Sequence, residues 1–429
     1  MKKSALIISL TLSLLYAKDS YSVDDLIIQA LKNAPDIKIA SSKFEASTTR
    51  TKQANSSYLP SVDLHLEGGI KGMNEILSTT NETLSDSLLL GNISLKQLLY
   101  DFGKTSSNVA SYKYESNALN MSVKQDISNK KREVKVAYYD VLKALALIEV
   151  HQESVKLNEK QLYRSQKYFS AGIRTKIDIS DAKVQLIKAK MSLKTAQYNL
   201  KNAFASLDKV IGITEVNQTY NLYSKKLDFT KLFNSLSDYP MNLEKSIEFA
   251  YENRFNLKEH ILNVKVAKAK KSLSSADYYP SLYFGANYLK QNAGKFKNST
   301  PQNSWKASVN LDWNLYHGGL TDAKSQEKRV QIVTANEQLN NAKLQIKKAT
   351  TNAFINVSKV KDNVSLSQAL LEVSDEKFNQ AQKRYEHGLS DYIELQQSRQ
   401  GYIDAKANLI VSYYEYYQSI AKLDNAIGK

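Results

Sequence analysis

Trp305-Lys306-Ala307-Ser308-Val309-Asn310-Leu311-Asp312-Trp313-Asn314-Leu315 alternates without a slip. Its odd-numbered residues are apolar and its even-numbered ones polar or charged, the period-two signature of a strand with two unlike faces. Just upstream, Leu282, Phe284, Ala286 and Tyr288 alternate with Ser281, Tyr283, Gly285 and Asn287. Far upstream the pattern occurs twice more. Val62, Leu64 and Leu66 alternate with Asp63, His65 and Glu67 until Gly68-Gly69 closes the run, and Ile93, Leu95 and Gln97 alternate with Asn92, Ser94 and Lys96. Between these two runs, Lys71 to Ser87 reads as a polar loop. Trp305 and Trp313 stand roughly 25 Å apart at about 3.3 Å per residue, the height of a lipid-facing band between aromatic girdles. Half-buried strands of a water-soluble sheet alternate in the same way, so the surroundings must decide.

Those surroundings are helical. From Leu320 to Tyr385 apolar or small residues recur at spacings of three and four, among them Leu339, Ala342, Ile346, Val357, Val364, Leu371 and Phe378. This is a coiled-coil stripe, and at a rise of 1.5 Å per residue it runs on the order of 100 Å. A second long pattern extends from Lys104 to about Phe169 and resumes after Ala171-Gly172 as far as Ile211. Val23 to Ser57 is also helical in pattern, broken at Pro35 and ended by Pro60.

Lys2 and Lys3, the apolar run Ala5–Leu15 and small Ala17 form an export leader, so 1–17 is expected to be a signal peptide. No other stretch is apolar for the roughly 18 residues of a spanning helix. Any membrane crossing must therefore use strands. The chain has no Cys, which excludes disulfides and a lipid-modified cysteine anchor. Net charge is +16, or +14 without the two leader lysines. The lysines are spread along helix faces and not clustered with aromatics, which disfavours nucleic acid as a partner and fits solvated helices beside an anionic membrane.

The chain is written twice. Ala30 to Pro35 corresponds to Ala250 to Phe255, and Tyr58-Leu59-Pro60-Ser61 to Tyr278-Tyr279-Pro280-Ser281, an offset of 220. Leu99-Tyr100 with Gly103 matches Leu315-Tyr316 with Gly319, Gly172 matches Gly388, and Ile211-Gly212 matches Ile427-Gly428, an offset of 216. The four-residue difference falls between the strands, where loop length is freest. The expected organisation is repeat 1 over 18–212 with a hairpin at about 58–101 and a tip at 169–178, a connector over 213–242, and repeat 2 over 243–429 with a hairpin at about 279–316 and a tip at 385–394. Four strands cannot close a membrane barrel, whose smallest forms have about eight. Several copies must share one wall.

At the duplicated Leu-Pro-Ser or Tyr-Pro-Ser strand entry, the Leu-Tyr-x-x-Gly exit and the Gly172 and Gly388 turns, the chain resembles the TolC family of outer-membrane efflux proteins. The resemblance covers nearly all of the mature sequence. It implies a mainly α fold with membrane β: a homotrimer whose twelve strands form one barrel in the outer membrane, continued by an α-helical coiled-coil tunnel into the periplasm. It also implies a passive exit duct for a tripartite efflux or type I secretion system, docked to a periplasmic adaptor (membrane fusion) protein and an inner-membrane pump or ABC transporter. Adaptors dock at the family's tips, here around Gly172 and Gly388. The family narrows its entrance with acidic residues six and nine positions after the second tip glycine, which here are Glu394 and Gln397. Its closed state also joins a Tyr and an Arg near that glycine to an Asp of the first repeat. Tyr385 and Asp178 match, but the Arg position is Ser390. By the internal symmetry Arg174 takes the equivalent place in repeat 1, and it is expected to pair with Glu394 or Asp391. Trp305 and Trp313 are expected to mark the membrane's aromatic girdle.

Nothing in the sequence resembles an active site. His65, His151, His260, His317 and His387 lack metal-ligand spacing, and no phosphate-cradling loop or nucleophile elbow is present. The expectation is a protein without enzyme activity, cofactor or metal. A secreted coiled-coil structural protein or adhesin is the competing class, and it predicts neither alternating strands nor duplicated hairpins.

Overall fold

The computed structural model describes residues 20–77, 80–214, 221–223, 232–291 and 302–429, with backbone alone for 71–77, 80–88 and 302. The expected signal peptide, 1–17, lies outside the described residues, as does part of the connector. The elements are α1 (Val23–Asn33), α2 (Pro35–Asn55), β1 (Ser61–Leu77), β2 (Thr80–Tyr100), α3 (Lys104–Ser170) and α4 (Lys176–Ile211). The same succession follows as α5 (Leu243–Asn253), α6 (Phe255–Ser275), β3 (Ser281–Gln291), β4 (Gln302–Asp312), α7 (Leu320–Glu386) and α8 (Tyr392–Ile427). Corresponding helices agree residue for residue, at 11, 21, 67 and 36 residues in both halves. Only the strands differ in length.

The chain forms two compact units. One holds Ala40–Lys124 and Phe255–Leu344, and the other holds Gln125–Arg254 and Gln345–Lys429 with the start of the chain up to Ile39. The first unit contains a single antiparallel sheet in the order β1-β2-β3-β4. The β1–β2 ladder does not stop at the paired glycines. It continues through Gly68↔Leu89 and Gly69↔Leu88 to Leu77↔Thr80, so the stretch read as a polar loop is largely strand. Alternation is visible in sequence only where one face is apolar, whereas backbone pairing persists wherever the partner strand persists. At the other margin, β4 ends at Asp312 opposite Ser281. The next partner would be Pro280, which has no N–H to donate. Trp313 and Leu315, expected inside the strand, therefore lie just beyond it.

The second unit is helical. Leu26, Ile27 and Ala30 of α1 are buried against Val134, Val141 and Val150 of α3, Leu207 and Ile211 of α4, and Ile410 of α8. Local signals set the helix ends in both halves. Ser22 Oγ accepts from Asp25 N at 3.3 Å and Asn242 Oδ1 from Lys245 N at 2.9 Å, capping α1 and α5 220 residues apart. Gly212 and Gly428 end α4 and α8 in the left-handed region, with φ of 76° and 84°. Each lies against the C-terminal end of the other short helix of its repeat. A Cβ on Gly212 would meet Ala34 N at 3.0 Å, and one on Gly428 would meet Arg254 N at 3.0 Å.

Gly172 has the same backbone hand, with φ of 75°, but open space where a Cβ would go. Gly172→Ala is expected to cost only the left-handed penalty, about 1–2 kcal/mol. Gly212→Ala should cost distinctly more, because the contacting atoms are backbone. Thermal unfolding of the two variants in detergent measures the difference, and equal losses would show that the Gly212 seat is not tight.

Candidate functional site

Directly opposed residues of antiparallel strands share a face, so the register sorts the sheet into rows. Val62–Leu95–Ala286–Ala307 and Leu64–Ile93–Tyr288–Trp305 run across all four strands on one side. Asp63–Ser94–Asn287–Lys306 and His65–Asn92–Leu289–Ser304 run across the other, with Leu289 the single apolar residue in these two rows. The apolar side is uncovered: Leu64 is 65% and Trp305 79% exposed. An apolar face this continuous marks contact with lipid or protein. Among the described residues no helix is long and apolar enough to cross a membrane.

Aromatic side chains gather where the strands give way to helices. Phe102 stacks on Tyr279 with ring centroids 5.3 Å apart and meets Tyr100 edge-on at 4.7 Å. Trp313 Nε1 donates to Tyr278 O at 3.2 Å, and Tyr278 Oη donates to Asp322 Oδ1 at 2.6 Å. Trp313 and Tyr278 thus each offer an apolar body and anchor a polar end, the habit of residues at a membrane–water boundary. Trp305 lies within β4, on the same apolar side as Leu64.

The two helical turns of the other unit are built alike. Ile173 N donates to Tyr168 O at 2.9 Å and Gly172 N to Phe169 O at 2.9 Å; Leu389 N donates to Arg384 O at 2.8 Å and Gly388 N to Tyr385 O at 3.1 Å. These are paired Schellman closures, each with a left-handed glycine. Asp178 Oδ2 accepts from Thr175 N at 3.2 Å and Asp391 Oδ1 from Glu394 N at 2.8 Å, so both carboxylates cap the helix that follows. Asp178 and Glu394 occupy matching positions in the two repeats.

Within one chain the tip contacts differ from the pairing expected of Arg174. Arg174 Nη2 donates to Ser390 O at 3.3 Å, and its guanidinium lies 5.0 Å above the Tyr385 ring. Glu394 instead faces Arg384, with Nε 3.7 Å from Oε1. Arg384 was not singled out from sequence, because the turn folds it back onto a residue ten positions later. Tyr385 is 1% exposed and packs with Ala182, Phe378, Tyr392 and Leu395. Burial pushes its hydroxyl pKa above the usual value, with Arg174 pulling the other way. Arg164 adds an ion pair to Glu386 at 2.7 Å. Gln397 is exposed. Among the described residues no His, Asp and Glu cluster is arranged to hold a metal ion.

The sequence profile described as outer membrane efflux protein matches residues 26–213 and 247–429, one block in each half. The chain is 24% identical to outer membrane protein TolC of Vibrio cholerae over 419 residues, covering 93% of this chain and 89% of that protein. It is 18% identical to outer membrane protein TolC of Escherichia coli, covering 93% and 80%. Among solved structures, CusC superposes with a TM-score of 0.82 at 15% identity over 95% of this chain and 92% of that one. The Campylobacter jejuni CmeC outer membrane channel does so at 0.79 and 16% identity over 97% and 90%. With both halves matched and the duplicated fold shared, the chain belongs to the outer membrane efflux protein family.

Proposed function

We propose that three copies of this chain close one twelve-stranded barrel in the outer membrane, and that the helical part is the periplasmic duct through which cargo leaves passively. The observation that carries this reading is the sheet with one apolar face, one polar face and two open edges, at β1 and β4. Pairing β1 of one copy with β4 of the next satisfies both edges. Two copies would supply about eight strands, and an eight-stranded barrel is filled by its own side chains. Three leave a lumen, lined by the polar rows.

The helices support the same assembly. On α4, Ile177, Val184, Met191 and Tyr198 recur every seven residues and are exposed. On α7, Ile355, Leu366, Leu370 and Val373 are exposed as well. Such stripes are seams for neighbouring helices. Energy for transport comes from an inner-membrane pump or ABC transporter, reached through an adaptor that docks at the Gly172 and Gly388 tips. Three copies of Glu394 around the three-fold axis form a negative constriction, trimmed by Arg384, with Asp391, Gln397, Asp178, Tyr385 and Arg174 shaping its rim.

Light scattering of the detergent-solubilised protein should give a trimer mass, and planar bilayers should register discrete channels; a monomer that never inserts would refute the reading. Leu64→Lys places a charge on the lipid face at a cost of roughly 2–4 kcal/mol near the bilayer midplane. It should abolish outer-membrane insertion, while His65→Lys on the opposite face inserts normally; fractionation reads both.

Each Glu394 carboxylate contributes about 1 kcal/mol toward a cation 4 Å away at water-like screening. Glu394→Gln should therefore weaken block by a trivalent cation by about tenfold or more. Unchanged block would remove Glu394 from the constriction.

A further inference from the structure

Arg399 lies on the buried face of α8, in line with Tyr392, Leu395 and Ile403, and is 5% exposed. Its Nη1 donates to Asn158 Oδ1 at 3.0 Å, while Nε has no acceptor. Among the described residues no carboxylate pairs with it. The neutral phenol of Tyr392 lies beside it and supplies no counter-charge, and the Arg164 guanidinium repels it. Burial lowers its pKa, yet a guanidinium stays protonated in proteins. A buried charge without a counter-charge costs several kcal/mol.

The same guanidinium lines a partly open cavity of about 150 Å³ between α3, α4 and α8, together with Ser154, Asn158, Gln396 and the exposed Lys188 and Gln400. The lining is rich in donors: an ammonium, a guanidinium, four amides and two hydroxyls. His151 also faces it, with its pKa lowered by burial against the opposing pull of Asp404, and is neutral at pH 7. Asp404, the carboxylate in the lining, is held by Gln400 Nε2 at 2.8 Å. Two cations therefore face one anion. At roughly 30 Å³ per water the space holds a small ion with part of its hydration shell.

We infer that this cavity binds one small inorganic anion, of the size of chloride or phosphate, between Arg399 and Lys188. The anion supplies the counter-charge Arg399 lacks and ties α8 to α3 and α4 beside the tip cluster of Tyr385 and Tyr392. All of the named lining residues belong to one chain.

Full-length protein in detergent is melted in sodium chloride, sodium phosphate and sodium gluconate at equal ionic strength, gluconate being too bulky for the cavity. The midpoint should rise saturably in chloride or phosphate over gluconate, and the more potent of the two identifies the anion. Arg399→Met should be at least as stable as wild type in gluconate and less stable in the saturating anion, and Lys188→Met should blunt the rise. That crossing separates anion binding from a packing defect. Should Arg399→Met fail to fold, crystals of the wild-type protein grown in bromide decide, with an anomalous peak expected within hydrogen-bond reach of the guanidinium. Identical melting in the three salts, or a bromide-free cavity, overturns the inference, because water or a neighbouring copy's carboxylate then fills the space.

Discussion

Inside a hydrocarbon layer every backbone N–H and C=O must find its partner within protein, because no water is there to supply one. A sheet ordered β1-β2-β3-β4 leaves one edge of β1 and one of β4 unpaired. Each unpaired group would cost several kcal/mol in lipid, so the sheet cannot enter a membrane alone. The apolar rows make the opposite demand, since Leu64 and Trp305 are poorly placed in water. These two demands are met together only by closing several copies into a ring. The proposed trimer would therefore be part of the sheet's hydrogen-bonding account and not an addition to it.

Closure of the proposed ring would also account for the close match of the repeats. A wall assembled from alternating halves closes only if the halves agree in length, and the four helix pairs agree to the residue. The glycine seats at Gly212 and Gly428 show the same constraint at atomic scale, each excluding a Cβ by backbone contact. The strands are free of it. β1 and β2 span 17 and 21 residues against 11 for β3 and for β4.

What could be read from sequence followed from where physics leaves a periodic mark. The long helices and four strands were legible because each buries or exposes one face consistently, and the glycine turns because their backbone hand admits little else. The outer parts of β1 and β2 were not legible: with no consistently apolar face, nothing in Lys71 to Ser87 distinguishes a paired strand from a loop. The end of β4 depended on Pro280, a residue on another strand, and so needed the register. At the tip, the Arg384–Glu394 contact arises from the turn's three-dimensional path. Arg399 did leave a trace. Tyr392, Leu395, Arg399 and Ile403 follow at spacings of three, four and four, which places a cation on an apolar stripe.

The tip is also the cheapest place in the helical unit to rearrange. Higher up, α1, α3, α4 and α8 share a core of fully buried aliphatic side chains, and opening it would expose apolar surface at about 25 cal/mol per Å². At the turns the two repeats are joined by one 3.3 Å hydrogen bond from Arg174 to the Ser390 carbonyl, a guanidinium over Tyr385, and the partly exposed Arg164–Glu386 pair. Exposed ion pairs contribute about 0–1 kcal/mol each, and local opening follows such low-stability regions. Tyr385 is the exception, buried on both helical sides and stacked under Arg174. A tip that opens must slide that ring along its aromatic neighbours without exposing it, which favours rotation of α7 and α8 about their own contact over separation of the hairpins.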